Sequence, residues 1–305
     1  MSSASAFSAC PATLSQESDR MRHSGSRYGG QTVAITGGAR GIGLAIAQAF
    51  HAEGANVVLG DLDVELATAA ATDLGDRAHA VHLDVTDRKS FADFLAATKE
   101  RFGGMHILVN NAGIMYTGPL LDEEEAITDR TLDINVRAVI TGCKLAARSF
   151  IADGVQGSIV NIASLAGLLK VPDLATYVAS KHAVVGLSES LSREWESAGI
   201  QVLSIMPTVV NTELATGLEV PRWLRPLMAV EPEDIANGVL KGLRRRQVRR
   251  SVHAFLAPLL RAFDLLIPYR PRRALERSLS LDTLMSGKNP EARAAYHAKI
   301  TQGLS

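Results

Sequence analysis

Thr32-Val33-Ala34-Ile35-Thr36-Gly37-Gly38-Ala39-Arg40-Gly41-Ile42-Gly43 is the stretch on which the architecture turns. Its first five residues read as a short buried strand, and an apolar helical pattern over 42–52 follows the glycines. Glycine lets the backbone turn tightly and approach a phosphate with no Cβ in the way. The last glycine lets the helix pack close to the strand. The helix N-terminus adds N–H groups and a partial positive charge. Turns use glycine freely, so the run gains meaning from its place between a strand and a helix.

Outward from this turn, short apolar runs alternate with helical patterns. Strands are expected at 56–60, 78–83, 107–110, 158–162 and 201–206. Helices are expected at 64–74, 88–102, 124–150 and 174–198, with another beginning near Glu231. Continuous apolar strands point to a sheet covered on both faces. Right-handed crossovers then give an α/β fold, a doubly wound parallel sheet in one domain over 28–250. The Ser- and Ala-rich residues 1–27 read as a flexible tail without the pattern of a secretory signal. Residues 251–305 read as a basic, amphipathic helical extension.

Bulk properties exclude several function classes. The chain has 32 basic and 32 acidic residues, so no global field recruits nucleic acid. The charge is uneven: residues 220–305 hold 16 Lys and Arg against 7 Asp and Glu. Two cysteines far apart, Cys10 and Cys143, offer no disulfide framework, which fits a reducing, cytoplasmic setting. The eight histidines lack metal-ligand spacing, so no metal is expected. No run approaches the roughly 18 apolar residues of a membrane span.

Chemistry concentrates at Ser164 and at Tyr177-Val178-Ala179-Ser180-Lys181. Tyr177 and Lys181, four apart, share one helical face. A phenol near pKa 10 is a poor base at neutral pH, and a nearby ammonium favours the phenolate. Ser164 lies just past a strand, where it can donate a hydrogen bond to an oxygen that gains charge. Tyr-x-x-x-Lys also arises in helices by chance. The weight comes from the set, all at the C-terminal side of the strands where ligands bind. His182 points elsewhere on the helix and is read as structural.

The spacing Thr36-Gly37-x-x-x-Gly41-x-Gly43, together with Ser164, Tyr177 and Lys181, resembles the short-chain dehydrogenase/reductase family. The likeness covers roughly 31–246. It implies a Rossmann fold, a nicotinamide cofactor, and hydride transfer between that cofactor and a secondary alcohol or ketone. It implies that Gly37, Arg40, Gly41, Ile42 and Gly43 belong to the cofactor-binding turn. Asp84 and Val85 would meet the adenine. Asn111, Ala112 and Gly113, after Asn110, would line the adenosine pocket. Asn135 would complete the catalytic group with Ser164, Tyr177 and Lys181, holding a water beside the lysine. Tyr177 and Lys181 would also touch the cofactor, while Val210 and Thr212 would meet the nicotinamide carboxamide. Thr208 stands where relatives usually have glycine, which bears on the turn and the substrate pocket.

Asp61 follows the second strand where a carboxylate can bind both ribose hydroxyls and repel a 2′-phosphate. It could also cap the following helix. Arg40 is the complication, since a basic residue there can reach such a phosphate. The balance favours NAD over NADP. The apolar stretch 213–228, with Leu214, Leu218, Trp223, Leu224, Leu227 and Met228, favours a lipophilic substrate, although a lid packing on its own protein explains it nearly as well.

In the extension, Phe255, Leu259, Phe263 and Leu266 fall at helical spacing between the clusters Arg244–Arg250 and Arg270, Arg272 and Arg273. Such a segment can lie in a membrane interface, which would make the protein peripherally membrane-associated, or pack on a partner subunit. Core packing with solvated arginines is the plainer account. By the same resemblance, the helices from Glu124 and Leu174 would form the face of a homodimer or homotetramer. Two other readings compete with the alcohol dehydrogenase. An NADPH-dependent 3-oxoacyl-type reductase conflicts with Asp61. A non-catalytic nucleotide-sensing scaffold has no need of Ser164, Tyr177 and Lys181 together.

Overall fold

A computed structural model describes residues 26–215, 229–251, 262, 266–278, 294, 296–298 and 300. Nine strands and eight helices are used below. They are β1 (Thr32–Thr36), α1 (Gly41–Ala52), β2 (Asn56–Asp61), α2 (Val64–Leu74), β3 (Ala78–His82), α3 (Arg88–Phe102) and β4 (Ile107–Asn110). Then come α4 (Glu125–Leu132), α5 (Ala138–Asp153), β5 (Ser158–Ile162), α6 (Ala175–Glu194) and β6 (Gln201–Met206). The series ends with β7 (Val209–Val210), β8 (Ala229–Val230), α7 (Pro232–Arg244), β9 (Arg249–Ser251) and α8 (Tyr269–Ser278).

Seven strands form one parallel sheet in the order β3-β2-β1-β4-β5-β6-β9. The strand order reverses between β1 and β4, so their C-terminal ends part and open a crevice. Alternation along β1 shows how both faces are covered. Val33 and Ile35 join a core with Ile46 and Phe50 of α1 and Ile235 and Val239 of α7. Ala34 joins the opposite core with Phe91 and Phe94 of α3, Phe150 of α5 and Val184 of α6. The doubly wound sheet expected from the sequence is the one observed.

Three details differ from the reading of the sequence. The helix expected over 124–150 is interrupted by a π-helical turn at Asp133–Arg137, between α4 and α5. The cap of α2 is Asp63, whose Oδ1 accepts the Leu66 N–H, and not Asp61. The arginine cluster Arg244–Arg250 is partly structural, because Arg249–Ser251 forms the sheet's outer strand. Arg249 pairs with Glu189 of α6, and Arg244 with Glu53 beyond α1. Such half-exposed pairs fix position more than they stabilise.

At the N-terminal side, Tyr28 is buried and packs edge-on against Phe50, so structure begins ahead of β1. Phe255, Leu259, Phe263 and most of 213–228 lie outside the described residues, as does Cys10. Leu266 and Tyr269, ahead of and at the start of α8, are exposed. Among the described residues, no helix is long and apolar enough to cross a membrane.

Candidate active site

A cavity of about 680 Å³ opens at the C-terminal ends of the strands, at the crevice between β1 and β4. Its floor is the glycine turn. Gly37 and Gly41 hold φ values of 63° and 54°, the left-handed region that side chains disfavour. A Cβ at Gly43 would lie 2.1 Å from the Gly37 carbonyl oxygen and 2.7 Å from Asn111 Nδ2. Gly43 therefore sits behind the cavity wall, where its missing side chain lets α1 close on the turn. The first turn of α1 carries no acidic residue and no side-chain cap, so its N–H groups and positive end face the cavity uncompensated.

The end of β4 is tied to this turn. Asn111 donates through Nδ2 to the carbonyls of Thr36 and Gly37, each at 2.9 Å. Thr36 Oγ1 accepts the N–H groups of Asn111 and Ala112. Below it, Asn110 donates to Asn161 Oδ1 at 2.8 Å, and Asn161 donates to Ser188 Oγ of α6 at 2.9 Å. Every amide in this buried chain is paired, as burial demands. Cys143, between Asn110 and Asn161, has its thiol pushed up to about 12 by burial, so it stays a thiol and packs as a small apolar group.

At the opposite end, Ser164, Tyr177 and Lys181 line the same cavity. Ser164 Oγ accepts the Ala166 N–H at 3.1 Å, which fixes the hydroxyl and leaves its hydrogen to donate. Lys181 is buried and donates to the Ile162 carbonyl at 3.0 Å. Its ammonium stands 5.6 Å from the centre of the Tyr177 ring. Burial pushes the Lys181 ammonium down to about 8, so it is still charged at neutral pH.

Asn135 lies in the π turn, wholly buried and outside the cavity wall. Its Oδ1 accepts the Ile114 N–H, while Nδ2 donates to the Ile114 carbonyl and to Ser180 Oγ. Ser180 Oγ in turn donates to the Tyr177 carbonyl. Both amide hydrogens are thus spent on protein. Asn135 links the loop after β4 to the helix that carries Tyr177 and Lys181, one step back from the reacting atoms. His182, by contrast, bonds the Val178 carbonyl on its own helix.

The profile of the short chain dehydrogenase family matches residues 31–222, well over half of the chain. The chain belongs to the short-chain dehydrogenase/reductase family. Members exchange hydride between NAD(P)(H) and a CH–OH or carbonyl group, and this chain is an oxidoreductase of that kind. It is 38% identical over 214 residues to a 3-alpha-(or 20-beta)-hydroxysteroid dehydrogenase of Mycobacterium tuberculosis, covering 69% of this chain and 81% of that protein. A sorbitol dehydrogenase of Cereibacter sphaeroides is 39% identical over 193 residues, covering 63% and 75%. LinX of Sphingobium indicum, a 2,5-dichloro-2,5-cyclohexadiene-1,4-diol dehydrogenase, is 36% identical over 225 residues, covering 70% and 89%.

The residues present fit a nicotinamide dinucleotide. The uncapped first turn of α1 and the glycine cradle suit a pyrophosphate. Thr208, on the cavity wall beside Pro207, buries a hydroxyl that has no hydrogen-bond partner. Asp61 lines the dehydrogenase's cavity, with Oδ2 accepting the Ala39 N–H at 3.0 Å and Oδ1 the Asp63 N–H at 3.1 Å. Arg40 is held by Asp63 and Glu213, each at 3.2 Å.

Of the residues singled out from sequence, Gly37, Arg40, Gly41, Ile42, Asp61, Asp84, Val85, Asn111, Ala112, Gly113, Val210 and Thr212 line this cavity. Asp84 Oδ1 also accepts from the Thr86 backbone and hydroxyl, closing a turn after β3. Among the lining residues that the sequence did not single out are Ile114 and Met115 after β4, Arg130 of α4, and Tyr296 and Ile300 near the C-terminus. No local pattern marks the last two. They lie about 120 residues beyond Tyr177 and arrive only through the tertiary fold.

Proposed function

We propose that this dehydrogenase uses NAD(H) to interconvert a lipophilic secondary alcohol and its ketone, with Tyr177 as acid/base. The observation that carries the reading is one cavity lined at one end by the glycine turn and Asp61, and at the other by Ser164, Tyr177 and Lys181. A nicotinamide held between the glycine turn and Tyr177 would supply the hydride acceptor in oxidation and the hydride donor in reduction. Overall, the secondary alcohol and NAD⁺ give the ketone, NADH and a proton.

Ser164 donates its hydrogen to the substrate oxygen and holds it beside the phenol. Tyr177 takes the hydroxyl proton in oxidation and returns it in reduction. The Lys181 ammonium favours the phenolate, and the same charge can hold ribose hydroxyls. Asn135 positions this group through Ile114 and Ser180.

Asp61 supports NAD over NADP. Its carboxylate stands at the rim, pinned by two backbone N–H groups, where it can accept from ribose hydroxyls and repel a 2′-phosphate. Arg40, a cation on the same cavity wall that could offset that repulsion, is shared between two carboxylates. The lipophilic substrate is supported by Ile114, Met115, Leu214 and Ile300 around the catalytic end. Relatives named for a hydroxysteroid and a chlorinated cyclohexadienediol agree with it. The sorbitol relative shows that the shared framework also serves polar alcohols.

Replacing Tyr177 with Phe tests the chemistry. Turnover of secondary alcohols, followed by NADH absorbance, should fall by about a thousandfold or more, since acid/base and orienting roles are lost together. NADH affinity should stay within about threefold, because one hydroxyl contributes little to so large a ligand. Undiminished turnover would sink the assignment. A higher kcat/KM with NADP than with NAD would overturn the cofactor preference alone.

A further inference from the structure

Tyr296, His297 and Ile300 lie well past residue 222, where the match to the family ends. They nevertheless converge on the loop that follows β4. Tyr296 Oη accepts the Met115 N–H at 3.3 Å, and His297 Nε2 accepts the Thr117 N–H at 3.3 Å. The His297 ring stacks on Tyr116, with centres 4.5 Å apart and planes 27° from parallel. Two acceptors thus engage alternate N–H groups of one loop, and a ring contact sits on the residue between them. Contacts to backbone N–H groups fix the register of the segment whatever the loop's own side chains are.

The docked segment reaches the reacting end of the cavity. Ile300 is only 4% exposed, and with Tyr296 it lines the cavity that Ser164 and Tyr177 also line. Met115, whose N–H anchors Tyr296, is buried in a small cluster with Ala166, Leu174 and Tyr177. The loop is therefore held from two sides: by Asn135 at Ile114, and by the C-terminal segment at Met115 and Thr117. Met115 packs in the same cluster as Tyr177, which puts these anchors on the catalytic side of the cavity.

We propose that Tyr296 and Ile300 form the substrate-recognition wall of this active site, selecting alcohols with a bulky apolar skeleton over small or polyhydroxylated ones. The inference rests on the reading of Tyr177 as acid/base, because that fixes which end of the cavity takes the alcohol. An isoleucine and the carbon face of a tyrosine ring bury apolar carbon well, and those carbons offer a sugar alcohol's hydroxyls nothing to bond. The wall belongs to a part of the chain outside the family match, so selectivity here is set apart from the shared hydride-transfer machinery.

The test compares wild type, Ile300→Ala, Tyr296→Phe and Tyr296→Ala on 2-butanol, sorbitol, 2-decanol and a hydroxysteroid. For Ile300→Ala, KM for 2-decanol and the hydroxysteroid should rise about tenfold, with kcat within about twofold and KM for 2-butanol unchanged. Tyr296→Phe keeps the ring but loses the oxygen that accepts from Met115, and should raise KM for the bulky substrates by a smaller factor. Tyr296→Ala removes ring and anchor together, and should lose most of the preference for bulky alcohols. NADH affinity should stay within about twofold for all three variants, since the wall does not meet the nucleotide end. A preserved ratio of bulky to small kcat/KM in Ile300→Ala, or an equal loss on all four alcohols, overturns the proposal and leaves Tyr177 chemistry standing. Wild type that turns over none of them defeats both readings.

Discussion

The two ends of the cavity are built from different materials. The nucleotide end is backbone: glycines at positive φ, the open first turn of α1, and strand ends tied by Thr36 and Asn111. Its residues lie mostly within one run of sequence, from Gly37 to Gly113, because β1 to β4 are consecutive βα units. The substrate end is side chain. It gathers Met115, Ser164, Tyr177, Leu214, Tyr296 and Ile300 from most of the chain's length. A phosphate is the same in every dinucleotide, so a backbone cradle suffices. A substrate skeleton varies, and side chains are what can vary with it.

The sharpest way to break this contrast is Gly43→Ala. The added methyl would meet the Gly37 carbonyl at 2.1 Å, and neither backbone segment can yield without deforming the cradle. Overpacking of this kind costs about 1–3 kcal/mol in stability. NADH affinity, read by fluorescence titration, should fall by at least about tenfold, since misplaced donors lose their bonds to the ligand. An unchanged affinity would mean that the nucleotide end is not a rigid backbone cradle.

Asn135→Ala sharpens the other side. Removing the amide leaves the Ile114 N–H and carbonyl without that partner in a buried place, at about 1–3 kcal/mol for each unsatisfied group. We expect kcat to fall by about tenfold through displacement of Tyr177 and Lys181, with NADH affinity held within about threefold. A positioning role further predicts partial recovery in Asn135→Gln or Asn135→Asp, which a loss of packing alone would not show.

The smallest effect lies away from both ends. His51, His79 and His106 are all held below the ordinary imidazole value by burial. His106 Nδ1 accepts the Thr32 N–H at the start of β1, a bond that requires that nitrogen unprotonated. The unfolded chain binds these protons near pH 6.5 and the folded chain only below it. Stability is therefore complete above about pH 6.5 and drains as the pH falls through that value toward the depressed folded ones. The Tm should drop by a few degrees between about pH 7.5 and 6. His106→Asn, which keeps an acceptor without titrating, should shrink that drop; an equal drop would remove His106 as a cause.

Legibility followed the same divide. Glycine turn, strand ends and the Tyr177–Lys181 pair were readable because each depends on residues within one turn or one strand. The π turn at Asp133–Arg137 was not, since a continuous helical pattern runs through it and its asparagine is satisfied only by Ile114 and Ser180 from elsewhere. The strand Arg249–Ser251 was hidden for a related reason. An arginine-rich run looks like solvated charge until β6 supplies the pairing edge and Glu189 takes Arg249.

Local periodicity and motif spacing by themselves determined that this chain winds a parallel sheet, closes a glycine cradle and sets a phenol beside an ammonium. All of these are short-range consequences of backbone geometry and helical repeat. Tertiary structure alone decided that Tyr296 and Ile300 line the same cavity as Ser164 and Tyr177, that Arg40 is held by two carboxylates, and that Asn135 bonds Ile114 and Ser180. Those facts depend on which distant surfaces are buried together, and no interval along the chain encodes that distance.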